Sequence, residues 1–233
     1  MSLSLSSTSG TAAVPRFDRL ARVYRWMEWL TFGPFLGLCR GFFLKDLGEC
    51  RHALVLGDGD GRFTARLLAH DPVIRVEAVD GSPAMLSELR RRVGPHRGRV
   101  ETHLADLRAW TPPGSDYDLV VTHFFLDCLS TDEAADLARR VHSCMAPQSV
   151  WLVSEFNEPA SWFGRIVAGP LISFLYRGFG WLTGLRVRRL PDYQQALADA
   201  GFTLMQAHSS LGGLLVTELW ERRSRSPSTP SMS

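Results

Sequence analysis

Ala53-Leu54-Val55-Leu56-Gly57-Asp58-Gly59-Asp60-Gly61 runs from an apolar tetrapeptide straight into a glycine-rich turn. The first four residues are apolar on both faces, the pattern of a central strand in a parallel sheet. A helix is expected next, from Gly61 to Ala69. Glycines between a buried strand and a helix let the backbone turn tightly and approach a ligand that a side chain would exclude. The helix start adds unpaired N–H donors.

Two common ligand loops fit this turn poorly. A P-loop places Lys-Ser/Thr after its last glycine, and Arg62-Phe63 stands there instead. A dinucleotide fingerprint has glycine at its sixth position, which is Arg62 here. Asp58 and Asp60 would also repel a pyrophosphate. Acidic groups suit a ligand that carries positive charge and hydroxyls. The competing reading is a turn with a purely structural role.

Outward from this turn, short apolar runs alternate with helical patterns. Arg75–Asp80 reads as a strand and Pro83–Val93 as a helix with Ser82 as its N-cap. Arg99–Leu104, Asp118–Thr122 and Ser149–Ser154 read as strands, and Thr131–Met145 as a helix entered by Ser130. Pro191–Ala200 reads as a helix with proline at its first position, closed by Gly201. Phe202–His208 and Leu214–Trp220 read as a hairpin across Ser-Ser-Leu-Gly-Gly. Before the turn, Phe17–Leu30 has apolar residues at helical spacing, and a second apolar helix is expected from Pro34 to Leu44. The fold class is therefore α/β: a doubly wound, mostly parallel sheet of seven strands ending in an antiparallel hairpin. The expected organisation is a disordered leader over 1–15, one domain over 16–221 and a disordered tail over 222–233. Within the domain, 16–45 are N-terminal helices and 156–190 a helical lid insertion.

Asp80 closes the second strand about 20 residues after the turn, where a ribose-binding acid is expected. The alternative is an N-cap or turn aspartate. Asp106, in Leu104-Ala105-Asp106-Leu107, follows the third strand and is placed to accept from an exocyclic amine, or is a turn aspartate. Taken together, VLGDGDGRFTARL, EAVDGSPAML, LADL and YDLVVTHFFLD resemble the motif set of the class I S-adenosylmethionine-dependent methyltransferases. The resemblance covers Phe17 to Trp220. It implies S-adenosylmethionine as cofactor, with Gly57, Asp58, Gly59 and Gly61 around its methionine part. It also implies Asp80 on the ribose hydroxyls, Met85 near the adenine and Asp106 on the adenine amine. Gly81, Ser82, Leu107 and His123 fall within the same motifs and complete the implied cofactor site.

A narrower similarity links FDRLARVYRWMEWLTFG and SEFNEP to the quinone-biosynthesis C-methyltransferases, which implies Tyr24 over the cofactor. Arg25 stands where that group has Asp, and Arg108–Pro112 departs from its Leu-Pro-Phe continuation.

Methyl transfer from a sulfonium is an in-line displacement, so the enzyme mainly aligns the reactants and excludes water. A base is needed only when the acceptor must first lose a proton. His123 is the candidate base, since imidazole titrates near neutral pH, and a packing histidine is the alternative. Asp127 and Glu155 rank behind it. Trp26, Trp29, Phe32, Phe35, Trp162, Phe163, Leu171, Phe174, Tyr176, Phe179 and Trp181 would line an acceptor pocket. They point to a small, largely apolar acceptor of quinone-, lipid- or aromatic-like chemistry, or else to a dimer interface or ordinary lid packing. A nicotinamide-dependent oxidoreductase and a non-catalytic S-adenosylmethionine-binding protein are the other readings.

Composition sets the remaining limits. The 233 residues suit one domain, with 45% hydrophobic and 21% charged residues. Lys and Arg total 26 against 24 Asp and Glu, too balanced to argue for nucleic acid. Thr122-His123-Phe124-Phe125 also stands where nucleic-acid amino-methyltransferases carry Asn/Asp-Pro-Pro-aromatic. Cys39, Cys50, Cys128 and Cys144 form no Cys-x-x-Cys pair, so no metal site is expected and reduced thiols suit a cytoplasmic chain. Met27–Leu44 and Trp162–Leu182 are interrupted by charges and are not spans. Arg186–Arg189 and Arg222–Arg225 leave peripheral contact with anionic lipid open. The oligomeric state is open as well.

Overall fold

The computed structural model describes residues 34–112, 114–157 and 191–222. The leader, the helix expected over Phe17–Leu30 with Tyr24, nearly all of the 156–190 insertion and the tail after Arg222 lie outside these residues. The elements are α1 (Pro34–Arg40), β1 (His52–Leu56), α2 (Arg62–His70), β2 (Arg75–Asp80), α3 (Pro83–Arg92) and β3 (Val100–Leu104). Then follow β4 (Tyr117–His123), α4 (Thr131–Cys144), β5 (Met145–Phe156), α5 (Tyr193–Asp199), β6 (Phe202–Ser210) and β7 (Leu215–Arg222).

The seven strands form one sheet in the order β3-β2-β1-β4-β5-β7-β6. Pairing is parallel from β3 to β5 and antiparallel for β5–β7 and β7–β6. After β1 the chain winds outward through β2 and β3, then returns to lay β4 on the other side of β1. A crevice opens at such a reversal, above the carboxyl ends of β1 and β4.

The sheet separates two cores. One face carries Leu54, Leu56, Val120, Trp151 and Trp220 against α4 and α5. The other carries Ala53, Val55, Leu119, Val121 and Leu152 against α2. This two-sided burial is why Ala53–Leu56 has no polar alternation. A third, small cluster of Leu36, Cys39, Leu214 and Leu215, with Phe124 and Phe156 packed on it, fastens α1 to the sheet.

Helix starts follow the side chains written for them. Ser82 accepts from the Met85 N–H at 3.3 Å, with Pro83 in the first turn of α3. Ser130 and Glu133 form a reciprocal capping box on α4. Several boundaries differ from expectation, among them the start of β5, at Met145 rather than Ser149. The helix after Pro34 stops at Arg40, where Gly41 follows, and turns occupy 41–46. Helix α5 starts at Tyr193 rather than at Pro191, because the Asp192 carboxylate accepts from the Gln195 N–H at 3.1 Å and caps it there. Strand β4 extends through His123, which pairs in register with Ser154, so this histidine ends the strand instead of lying past it. Among the described residues no helix is long and apolar enough to cross a membrane.

Candidate active site

The turn between β1 and α2 holds Gly57, Gly59 and Gly61 at φ of 71°, 61° and 76°. These left-handed values favour glycine. Its two aspartates do not face outward as the sequence suggested. Asp58 turns back to cap α2, accepting from the Phe63 N–H at 3.4 Å, the Thr64 N–H at 2.9 Å and the Thr64 hydroxyl at 2.7 Å. Burial raises its pKa, and the Thr64 bonds oppose that rise. Asp60 is buried and accepts from Arg62 Nε at 3.0 Å and Arg92 Nη2 at 2.8 Å, while Arg92 Nε donates to the Asp60 carbonyl at 2.9 Å. Both carboxylates therefore hold the turn's shape.

The three glycines do different work. A Cβ on Gly57 would lie 2.8 Å from the Phe125 ring, and one on Gly61 2.6 Å from Leu89 Cγ. At Gly59 it would meet only Met85 Sδ, at 3.7 Å. Gly59 is thus the position where bare backbone opens to the cleft, with Met85 as its neighbour.

Asp80 joins the loops after β1 and β2. Its Oδ2 accepts from the Gly59 N–H at 3.2 Å and its Oδ1 from the Ser82 N–H at 2.8 Å. A carboxylate has about four lone-pair sites, so capacity remains for two hydroxyl donors. Burial raises the Asp80 pKa against the pull of these two N–H groups. Gly81 is exposed between them.

Asp106 is exposed and paired with its neighbour. Arg108 donates from Nε at 2.9 Å, Nη2 at 2.7 Å and its backbone N–H at 3.1 Å. The guanidinium holds the Asp106 carboxyl below its usual pKa. Leu107 turns into the core. Arg140 of α4 fixes this loop by donating to the carbonyls of Leu107 at 3.2 Å, Arg108 at 3.0 Å and Trp110.

His123 is buried edge-on to Phe63, with ring centres 4.5 Å apart. Neither ring nitrogen has a hydrogen-bond partner among the described residues. Burial, and then the charge of Arg40, push its pKa well below the usual histidine value, so the ring is neutral at pH 7. Phe124 follows at φ 53°, in the left-handed region. Glu155 supports that bend: its Oε1 accepts from the N–H groups of Phe125 at 3.0 Å and Leu126 at 2.8 Å. Burial and nearby Asp127 raise its pKa well above normal. Glu155 and Asp127 thus belong to the wall behind Phe125.

The structure brings Gly57, Gly59, Asp80, Ser82 and Met85 together around the turn, with His123 one position beyond Thr122, the register partner of Leu56. Asp58 and Leu107 point away from the cleft side, and Tyr24 lies outside the described residues. Thr64, Arg92, Arg140 and Arg40 escaped the sequence reading. Arg92 and Arg140 act through contacts some 30 residues distant in the chain, and no local pattern marks such partners.

These residues fit S-adenosylmethionine. Gly59 leaves bare backbone where an added Cβ would meet Met85 Sδ at 3.7 Å, Asp80 keeps acceptor capacity beyond its two N–H partners, and Asp60 pairs with both Arg62 and Arg92 at the turn. A methyltransferase domain family matches residues 53–148. A trans-aconitate 2-methyltransferase of Methylobacterium radiotolerans is 35% identical over 125 residues, 52% of this chain and 45% of that protein. Another, of Mycobacterium sp. strain KMS, is 30% identical over 192 residues, 75% of this chain and 71% of that protein. The chain thus spans less than half of the first relative's length. Among solved structures, the N-methyltransferase NodS of Bradyrhizobium japonicum WM9 in complex with S-adenosyl-L-homocysteine aligns at TM-score 0.61. That match has 13% identity and covers 83% of this chain and 89% of the other.

Proposed function

This chain belongs to the class I S-adenosylmethionine-dependent methyltransferases, and from that premise we propose that it methylates a small, largely apolar acceptor. The observation that carries the reading is His123. It is a buried imidazole whose two nitrogens lack partners among the described residues, set against Phe63 at the strand end level with the glycine turn. A polar side chain left unpaired in an apolar setting costs free energy unless a ligand uses it.

S-adenosylmethionine supplies a methyl group already activated on a sulfonium. The chain's part is to bind, orient and keep water out. We assign Asp80 to accept from the ribose hydroxyls, the Gly57–Gly61 backbone to the methionine part and Met85 to the adenine. Gly81, Ser82 and Leu107 shape those loops, and Asp58 acts through α2. Asp106 would accept the adenine amine in exchange for one Arg108 bond. Tyr24 over the cofactor, helices over 16–45 and a covering insertion over 156–190 are proposed from the resemblance. Phe35, 46% exposed on α1, is available to the acceptor side. A small-molecule acceptor, rather than nucleic acid, and a cytoplasmic setting complete the proposal. The four cysteines are free thiols in keeping with that setting.

His123 can take a proton from an acceptor hydroxyl, because its lowered pKa keeps the lone pair available. The sign follows from the depressed value: the neutral form persists below pH 6.5, so turnover should hold as pH falls from 7 to 6. Transfer of label from methyl-labelled S-adenosylmethionine into a quinone or lipid extract tests the activity. His123→Ala should lower that turnover about 100-fold or more and leave S-adenosylhomocysteine affinity unchanged. Equal turnover in the variant would return His123 to packing.

A further inference from the structure

The stretch from Phe35 to Leu47 carries apolar residues on two sides. Leu36 and Cys39 pack on Leu214 and Leu215, while Phe43 and Leu47 enter the core on the α2 side of the sheet. A second set faces outward: Phe35 is 46% exposed, Leu38 62% and Phe42 45%. Helical spacing persists past the end of α1, since the N–H groups of Gly41 and Phe42 donate to the carbonyls of Gly37 at 3.3 Å and Cys39 at 3.2 Å. Steps of three and four residues therefore put Phe35, Leu38 and Phe42 along one side.

That side is held outward by what fixes the other one. The Thr217 hydroxyl donates to the Cys39 carbonyl at 3.1 Å and lies 2.8 Å from Cys39 Sγ. Arg66 Nη1 donates to the Gly37 carbonyl at 2.6 Å. Phe42 stacks on His208 with ring centres 3.6 Å apart. The β6–β7 turn, tied to α1 through Leu214, adds Leu211, 39% exposed at φ 51°, a left-handed conformation that leucine rarely adopts.

We propose that this surface seats the protein on an anionic lipid bilayer. The charges beside the stripe favour that occupant. Arg66 is exposed and lies along Gly37 and Gly41, its Nη1 3.2 Å from where a Gly41 Cβ would stand. Arg62, one turn earlier on α2, has a side chain 52% exposed, and Lys45 is exposed where the stripe ends. Asp60 pairs with Arg62, and Asp46 and Glu49 follow Lys45, so Arg66 is the cation best placed for headgroups. Apolar side chains bordered by long cationic ones suit the bilayer interface: Leu38 and the phenyl rings enter the acyl boundary, and Arg and Lys reach the headgroup phosphates. A two-fold contact between copies of this chain would instead bring like cations together. Among the described residues no helix is long and apolar enough to cross a membrane, so the contact is peripheral.

The surface adjoins the acceptor side of the crevice. Thr217 Oγ1, which holds Cys39, is 3.3 Å from the hydroxyl of Ser154, the register partner of His123. An apolar acceptor dissolved in the bilayer would thus be drawn from beside the site. That consequence rests on the methyl-transfer reading, whereas lipid binding itself does not.

Co-sedimentation of the full chain with vesicles tests the proposal. Vesicles of phosphatidylcholine alone are compared with an equal mixture of phosphatidylcholine and phosphatidylglycerol. Binding to the mixture should be about tenfold tighter or more, and should fall in high salt. Arg66→Gln and Leu38→Asp should each weaken it about fivefold or more, with urea midpoints close to wild type. A nitrobenzoxadiazole label on Leu38→Cys locates the contact. The contrast is the same label on Leu104→Cys, since Leu104 is 59% exposed on β3, at the opposite edge of the sheet. The unsubstituted protein, whose cysteines are buried or half-buried, gives the background. Emission should rise with the mixed vesicles at position 38 and not at position 104. Failure to bind the mixed vesicles, wild-type binding by Leu38→Asp, or equal emission changes at the two positions would overturn the proposal. So would light scattering that shows a dimer in wild type and a monomer in Leu38→Asp, which would give this face to a second copy. Titration with S-adenosylhomocysteine, run without vesicles, reports on the methyl-transfer reading alone.

Discussion

Asp80→Ala is expected to weaken S-adenosylhomocysteine binding by about 1–3 kcal/mol, roughly 5- to 150-fold. The effect is large because one carboxylate serves two purposes. Toward the protein it accepts from the Gly59 and Ser82 N–H groups, so its removal leaves two donors unpaired and frees the loops after β1 and β2 from each other. Toward the ligand it offers the lone pairs that ribose hydroxyls would use. Asp80→Asn separates the two roles, since the amide keeps one acceptor oxygen and its NH2 faces a backbone donor. It should fall between Ala and wild type. Calorimetric titration reads both, and wild-type affinity in Asp80→Ala would remove this residue from the site.

Gly61→Val is expected to cost the fold about 2–5 kcal/mol, from about 1–2 for a left-handed backbone and about 1–3 for overpacking. The backbone there has φ 76°, and an added Cβ meets Leu89 at 2.6 Å from its Cγ and 2.9 Å from its Cα. The Cα cannot rotate away, so α2 and α3 must separate. Against a typical total of about 5–15 kcal/mol, this is a substantial share. Gly59→Val provides the contrast. It shares the positive φ, 61°, but its Cβ meets only the flexible end of Met85. Urea denaturation should show Gly61→Val far less stable than Gly59→Val, whereas S-adenosylhomocysteine binding should be lost in the folded Gly59→Val protein. Similar midpoints for the two would refute the different roles given to these glycines.

Much of the fold was legible because the signals are local. The two-sided apolar run at Ala53–Leu56 identifies a central strand, and Ser82 and Ser130 each mark a helix start by a side chain that reaches only three residues ahead. Asp80 was legible for a similar reason: a strand end at a fixed offset from the turn. Asp58 and Asp60 misled because their identity was visible and their direction was not. Adjacent acids suggest a field for a cationic ligand, yet Thr64 draws one carboxylate into α2 and Arg92 draws the other toward α3. The Asp106 case is alike, since Arg108 lies two residues away and its pairing depends on how the loop turns. Arg40 had no signature at all. Its place over Phe124 follows from where α1 docks, which Thr217, 178 residues from Cys39, helps to set. Pro191 shows a weaker conflict, in which an N-capping Asp192 prevailed over proline's preference for the first helical position.

The central claim is that the crevice above β1, β2 and β4 holds the cofactor. A crystal structure of the full chain with S-adenosylhomocysteine tests it most directly. The account predicts density with both ribose hydroxyls within hydrogen-bond distance of the Asp80 carboxylate and the amino-acid part of the ligand against the Gly57–Gly61 backbone. Ligand density elsewhere, with Asp80 contacting only Gly59 and Ser82, would contradict it.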